Sequence, residues 1–117
     1  MNKEVKFSRV ERPGTIVLRV YGPLDASTSP RFLDECGDIQ SLGKNLVINL
    51  AEVPFIASSG IGAIMAVADA YHEGQLNSVR LAAVSPAVSM VVDLLSLHEF
   101  LEIDDNEDDA CSKLKAA

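Results

Sequence analysis

The sequence predicts an α/β fold: a single domain in which helices cover a mixed β-sheet of four to five strands. Two observations lead to this prediction. Residues 46–50 form a nearly continuous apolar run, which is typical of a strand buried on both faces of a mostly parallel sheet. Strand-like and helix-like segments then alternate along the chain, with about four helices, which favours helical crossovers between neighbouring strands. The 117 residues suit one compact domain.

The first part of the chain predicts a hairpin followed by a helix. Alternating apolar residues indicate a strand near residues 4–9, and after an Arg-Pro-Gly turn residues 15–21 form the second strand. The Ser-Pro pair at 29–30 resembles an N-cap and first helical position, and Gly43 fits the end of that helix. The residues expected to face inward are Phe32, Leu33, Cys36 and Ile39.

The longest predicted helix begins at Ser58 and ends at Gly74. Helical spacing predicts a core-facing stripe made of Ile61, Ile64, Met65, Ala68 and Tyr71. The opposite side carries small residues where a solvent-facing helix usually has Lys and Glu; they are Gly62, Ala63, Ala66 and Ala70. Either another element of the domain covers this side, or it is a docking surface for a partner protein.

The last part of the chain predicts a strand, a short helix and an acidic segment. Residues 79–84 indicate the strand, and the Ser-Pro pair at 85–86 starts a helix whose inward residues are expected to be Val88, Val91, Val92 and Leu95. Residues 100–103 predict a short edge strand. Residues 104–117 are acidic and weakly helical, with Leu114 as the main apolar anchor. Their carboxylates lack the ligand spacing of a calcium-binding EF-hand loop, so no metal site is expected.

Charge and composition disfavour several classes of function. The net charge is −7 and the basic residues form no stripe, which argues against binding nucleic acid or an anionic membrane surface. The charged N-terminal segment does not resemble a signal peptide, and no apolar run approaches the roughly 18 residues of a membrane span. A cytoplasmic location is therefore expected, with Cys36 and Cys111 as free thiols.

Ser58 and Ser59 stand where a helix start leaves N–H groups unpaired and favours negative charge. Ordinary helix capping would account for both serines. Gly60 and Gly62 in the same turn each cost roughly 1 kcal/mol relative to Ala, and glycine lets a backbone or a phosphate approach closely. A phosphate on Ser58 would leave the helix folded but add charge beside the small-residue side, and would thereby switch partner binding off.

Four short motifs occur in the order and spacing of the STAS domain: Gly22-Pro23-Leu24-Asp25, Leu46–Leu50, Phe55–Gly62 and Ser85–Val88. Over nearly all of residues 1–117 the chain resembles a stand-alone bacterial anti-sigma-factor antagonist of that family. The resemblance implies that an anti-sigma factor with a histidine-kinase-like ATPase fold phosphorylates Ser58, with Ser59 as second choice, and that a PP2C-type phosphatase reverses this. With the small-residue side, it implies a partner-binding surface made of Asp25, Ala57, Ser58, Ser59, Gly60, Gly62, Ala63 and Ala66.

Ala57 departs from the family pattern, which usually has Asp directly before the phosphorylated serine. This departure keeps a second reading open, in which the chain is a constitutively docking STAS subunit of a stress-signalling scaffold or a lipid-transporting ABC complex. Asp25 could equally cap local N–H groups, and Asn49 is expected to be a satisfied buried amide.

No enzymatic activity and no cofactor are expected. The Gly-x-Ser-x-Gly elbow of serine hydrolases is missing. His72, expected near the core-facing side of its helix, and His98 are not evidently placed to activate a serine. Some family members bind nucleotides, and here only Asp25 and the Ser58 region would support such binding.

Overall fold

The computed structural model describes residues 4–114, in which helices pack on both faces of one five-stranded sheet. The strands are β1 (Lys6–Arg12), β2 (Thr15–Tyr21), β3 (Asn45–Glu52), β4 (Val79–Ala82) and β5 (Ile103–Asp104). The helices are α1 (Ser29–Ser41), α2 (Ser58–Gly74), α3 (Pro86–Leu94) and α4 (Glu107–Ser112), with a 3₁₀ turn at Leu97–Glu99. The predicted mixed sheet with four helices is confirmed.

The strands lie side by side in chain order, β1-β2-β3-β4-β5. β1 pairs antiparallel with β2 through the hairpin, and every later pair is parallel. Each parallel step is made by one helix, and right-handed crossovers that all advance in the same direction place α1, α2 and α3 on one face. All three helices therefore begin at the edge of the sheet where the carboxyl ends of the strands meet.

The central strand β3 is buried on both faces, as its apolar run predicts. Leu46, Ile48 and Leu50 belong to the main core beneath α1, α2 and α3. Val47 points the other way and packs with Ala110 of α4 in a smaller second cluster. The sheet is thus covered by three helices on one face and, within the described residues, by the six-residue α4 on the other.

Ion pairs hold α4 and its flanking residues on that second face. Arg19 donates two hydrogen bonds to Glu107, at 2.8 and 2.9 Å, and the amide of Asn49 donates to the same carboxylate. The carboxylate of Asp104, which is inaccessible to solvent, accepts hydrogen bonds from Arg80 and Lys113. The hydrogen bonds from Arg19 hold the pKa of Glu107 below its usual value. Burial raises the pKa of Asp104, but its two cationic partners outweigh burial and lower it.

Several boundaries and facings differ from the sequence-based predictions. β1 begins and ends later than expected, and β4 is two residues shorter. β5 is displaced to 103–104. Leu33 and Leu95, both expected to face inward, expose 38% and 51% of their surface, because each lies at the margin of its helix's apolar stripe. In α4 the fully buried residue is Ala110 rather than Leu114, which is half-buried. Residues 115–117 of the predicted C-terminal segment lie outside the described residues.

Candidate functional site

The start of α2 carries two exposed hydroxyl groups that no part of the described chain uses. Ser58 and Ser59 are both exposed, and neither makes a side-chain hydrogen bond within residues 4–114. The N-cap is Ala57, which has the extended conformation of a cap (φ −94°, ψ 172°) but no side-chain acceptor. The capping explanation for the two serines is therefore wrong, because the capping position falls one residue earlier.

Ser85 shows what a structural serine does in this fold. It caps α3 by accepting a hydrogen bond from the backbone N–H of Val88, and its hydroxyl donates to the carbonyl of Val53 at 2.6 Å. Its side chain is buried, and the Ser-Pro start predicted for this helix is confirmed. Ser58 has none of these contacts, so its presence is not explained by the stability of the domain.

The loop at residues 22–25 packs against the start of α2 and is hydrogen-bonded to it. Leu24 donates its backbone N–H to the carbonyl of Phe55, at 3.0 Å, and its own carbonyl accepts from Ala57 at 2.8 Å. Gly60 lies directly against this carbonyl: a Cβ atom at position 60 would be 2.5 Å from the Leu24 oxygen. The glycine expected to permit close backbone approach does so here, but the approaching backbone belongs to the same chain.

Asp25 is engaged in the local structure of this loop. Its carboxylate accepts hydrogen bonds from the hydroxyl and backbone N–H of Ser27, at 2.8 and 3.0 Å, and from the N–H of Thr28 at 3.1 Å. The hydrogen bond from the Ser27 side chain is the main reason why the pKa of Asp25 is lowered. These contacts organise the start of α1, whose N-cap is Thr28, one residue before the predicted Ser29. The capping role considered for Asp25 is therefore observed.

The exposed side of α2 is narrower than the sequence pattern predicts. Gly62, Ala66 and Ala70 are exposed, as expected, and a Cβ at Gly62 would meet no atom within 4 Å. Ala63, expected on the outward side, is instead buried at 4% exposure, two turns before Ala70, whose carbonyl accepts a hydrogen bond from Gln40 of α1. The buried stripe of α2 is therefore rotated from the predicted one: Val67 is in it, whereas Ile61, Met65 and Ala68 are only half-buried.

Of the eight residues expected to form the partner-binding surface, five lie together and accessible around the helix start. Asp25 and Ala57 are partly exposed, Ser58, Ser59 and Gly62 are exposed, and Ala66 follows one turn later on the same side. Gly60 and Ala63 are buried and cannot be part of an exposed surface.

Phe55 is a feature of this site that the sequence reasoning did not single out. It precedes the helix by three residues and exposes 56% of its surface. The available signal was its position between Pro54 and the helix start, since an apolar residue in such a crossover need not be buried.

His72 and His98 are not arranged to activate the serines. His72 lies fourteen residues along α2 from Ser58, which corresponds to about 21 Å of helix. Contrary to expectation it is exposed rather than near the core. His98 lies 3.2 Å from the carboxylate of Asp93. Among residues 4–114 no group of three or more His, Cys, Asp or Glu side chains could hold a metal ion, and no helix is both long and apolar enough to cross a membrane.

Four helices around one mixed five-stranded sheet define this chain as a small α/β domain. The STAS domain model matches residues 6–110. The chain therefore belongs to the STAS family.

Three solved structures illustrate the range of proteins that share the fold. An anti-sigma factor antagonist from Mycobacterium paratuberculosis is 24% identical with a TM-score of 0.83, and the match covers 94% of this chain and 93% of that one. The Bacillus cell fate determinant SpoIIAA in its phosphorylated form is 20% identical, with a TM-score of 0.69 and coverage of 92% and 98%. A sulfate transporter family protein from Wolinella succinogenes is 19% identical, with a TM-score of 0.73 and coverage of 89% and 87%. At these identities the likeness shows the fold.

Proposed function

We propose that the chain is an anti-sigma-factor antagonist, a cytoplasmic binding module of bacterial transcription regulation that is switched by phosphorylation of Ser58. Unphosphorylated, it sequesters an anti-sigma factor and so releases a sigma factor. The observation that carries the proposal is the exposed, unbonded hydroxyl of Ser58 at the first position of α2, beside an exposed side made of Gly62 and Ala66.

The small residues on this side support docking of a protein surface. A glycine inside a helix costs roughly 1 kcal/mol relative to alanine. Gly60 offsets that cost through its contact with Leu24, but nothing within 4 Å explains why position 62 lacks a side chain. A partner that packs closely against α2 would explain it, because Gly62 and Ala66 lie one turn apart and leave the helix backbone approachable.

Electrostatics then account for the switch. The partner's kinase activity transfers the γ-phosphoryl group of ATP to Oγ of Ser58, releasing ADP and the hydroxyl proton. The product carries roughly −1.5 to −2 charges at neutral pH. The start of α2, which has no acidic residue in its first turn and no side-chain cap, tolerates this charge, so the domain stays folded. A partner docked beside Ser58 would meet new bulk and charge, and would dissociate.

This mechanism and two proteins of similar structure support the choice of partners. The Mycobacterium and Bacillus neighbours are described as an anti-sigma factor antagonist and as a protein solved in a phosphorylated form. For this chain we propose an anti-sigma factor with a histidine-kinase-like ATPase fold as both binding partner and kinase. A PP2C-type phosphatase would use water to return phosphoserine to serine and inorganic phosphate.

Intact-mass analysis of the protein purified from its own cells tests the proposal, with the modified residue mapped by peptide sequencing. We expect partial occupancy by one phosphate at Ser58, and loss of the co-purifying kinase when Ser58→Asp replaces the wild type. Ser58→Ala should keep the partner and lose the modification. Ser41→Asp is the control, since it adds the same charge at the exposed end of α1, away from the proposed surface, and should keep the partner. Unmodified protein and equal partner recovery with Ser58→Asp would refute the switch.

Ala57 favours a second candidate, a STAS subunit that docks constitutively in a larger assembly. No carboxylate precedes Ser58 to orient its hydroxyl toward a kinase, and the fold also occurs in a sulfate transporter family protein. In a lipid-transporting ABC complex or a stress-signalling scaffold, Ser58 would carry no phosphate. A transporter subunit or a large homologous assembly would then co-purify with the chain instead of an ATPase-fold kinase.

A further inference from the structure

We propose that the groove between α2 and α3 binds an amphipathic helix of a partner protein, one with an apolar face and basic flanks. The α2–α3 groove is defined here by Ile61, Met65 and Ala68 on α2 and by Val91 and Leu94 on α3. This site goes beyond the Ser58 switch, because it requires neither a phosphate nor the small-residue side of α2.

The α2 wall of the groove is apolar and incompletely covered. Ile61, Met65 and Ala68 follow one another at helical spacing, and all three are only half-buried. The opposite flank of α2 is closed by comparison: Ala63 is buried there, and the side-chain amide of Gln40 on α1 donates to the carbonyl of Ala70 at 2.9 Å. The flank toward α3 therefore lacks the covering that α1 provides on the other side.

The α3 wall is apolar as well. Val88 and Val92 are buried in the core. Val91, which precedes Val92 in the sequence, lines a small cavity together with Ile61 of α2. Leu94 lies three residues beyond Val91 and so on the same flank. Leu94 exposes 81% of its surface, and Met90 on the adjoining outer side exposes 68%. Large apolar side chains this exposed, side by side, mark an interaction surface rather than ordinary solvent contact.

The charges around the groove select a cationic occupant. Between Lys44 and Lys113 the only Lys or Arg is Arg80. Arg80 is paired with Asp104, and its side chain is only 16% exposed. On α2, on α3 and in the turn after α3, the exposed charged groups are the carboxylates Asp69, Glu73, Asp93 and Glu99. Without a free cation on α2 or α3, these carboxylates make the potential around the two helices negative, which repels an anionic membrane and a second copy and attracts Lys and Arg flanking an apolar ridge.

The shape of the groove favours a helix as the occupant. α2 and α3 both run back from the same edge of the sheet, so the two walls run in the same direction over the nine residues of α3. A helix with apolar residues at i, i+3, i+4 and i+7 presents a ridge of that form. The ten Lys and Arg residues of the sequence are too dispersed to flank one apolar helix, so we assign the cationic helix to a partner protein.

The two methionines at the groove permit a direct test on the intact protein. The probe is a synthetic amphipathic helix of about 18 residues with a leucine ridge and Lys and Arg flanks. Titration into methyl-labelled protein should shift the methyl signals of Met65 and Met90. Leu94→Lys should weaken binding by about tenfold, since it replaces an apolar contact by a like charge. Leu42→Lys, at the exposed C-cap of α1, adds the same charge away from the groove and should change affinity less than twofold.

Three results would overturn the proposal. The first is equal weakening by Leu94→Lys and Leu42→Lys, or equal binding of a sequence-scrambled peptide, since either would reveal only attraction to an acidic protein. The second is a concentration-dependent dimer whose formation alone shifts Met65 and Met90. The third is the same shifts on anionic vesicles without any peptide. Each of these can occur whether or not Ser58 is phosphorylated, so failure here is distinguishable from failure of the proposed switch.

Discussion

A side chain at position 60 would place its Cβ atom 2.5 Å from the carbonyl oxygen of Leu24, closer than the 3.0 Å that real Cβ atoms respect. This contact joins the loop at residues 22–25 to the first turn of α2. It therefore fixes the position of the first turn of α2, which carries Ser58, relative to the edge of the sheet. The Leu24 carbonyl also accepts the N–H of Ala57, so neither segment can shift without the other.

Gly60→Ala should destabilise the domain by about 1–3 kcal/mol, because both nearby Leu24 atoms and a carbon of Ile56 would have to move. Gly62→Ala should stabilise it by up to about 1 kcal/mol, since its Cβ enters open space within a helix. Urea unfolding measures both. Changes of the same sign would contradict the assignment of Gly60 to the interior and Gly62 to the surface.

Gly62→Ala should nevertheless weaken partner binding by about tenfold, since a methyl group would separate the partner from the α2 backbone. Gly37→Ala provides a matched control, because Gly37 is also exposed within a helix and its Cβ also meets nothing within 4 Å. It should stabilise the domain equally and leave binding unchanged. Equal binding by both variants in calorimetry would mean that the partner does not approach α2 at Gly62.

Ala57→Asp should raise the free energy of unfolding by about 1 kcal/mol, because Ala57 already has N-cap geometry and lacks only an acceptor. Ala57→Asn should have a similar effect, which would attribute the gain to the hydrogen bond rather than to charge. Thermal unfolding of the three proteins makes the comparison. If neither variant gains stability, the cap geometry of position 57 is not retained in solution.

Acid should loosen α4 from the sheet. The pKa values of Glu107 and Asp104 are lowered from ordinary values of 4.5 and 3.8, so their stabilisation is fully present above those values. It is lost as the pH falls through the lowered pKa values. Glu107→Gln should cost about 1 kcal/mol at pH 7, and its free energy of unfolding should approach that of the wild type as the pH falls well below the ordinary carboxyl pKa of 4.5.

Glu102→Gln is the control for that experiment, because the Glu102 side chain is 71% exposed and lies 3.6 Å from Arg80. It should change stability by less than about 0.5 kcal/mol at either pH. If the wild type and Glu107→Gln still differ in their free energy of unfolding at low pH, the effect is due to packing and not to ionisation of Glu107.

The sequence was most informative where local chemistry decides the structure. The apolar run of β3, the Ser-Pro start of α3 and the two ends of α2 were all predicted, and Gly43 follows α1 with the positive φ of 73° that favours glycine. These features depend on a few neighbouring residues, whose preferences the fold does not override.

Which side of α2 is buried was less predictable, because this helix carries apolar or small residues on almost every side. Periodicity could not decide whether Ala63 or Ala68 lies deeper; the tertiary packing of α2 buries Ala63 and leaves Ala68 half-buried. The contact between Leu24 and Gly60 joins residues 36 positions apart and leaves no local pattern. The pairing of Arg19 with Glu107 also joins residues far apart in the sequence and leaves no local pattern. The sequence therefore predicts only Leu114 as the anchor of the C-terminal segment.

The uneven covering of the sheet has a consequence for how the chain matures. Val17 and Val47 lie on the face that α4 covers, and both precede α4 in the sequence by at least sixty residues. A ribosome must therefore release residues 104–114 before these valines can be shielded from water. Until then the nascent sheet exposes an apolar surface to which a chaperone can bind.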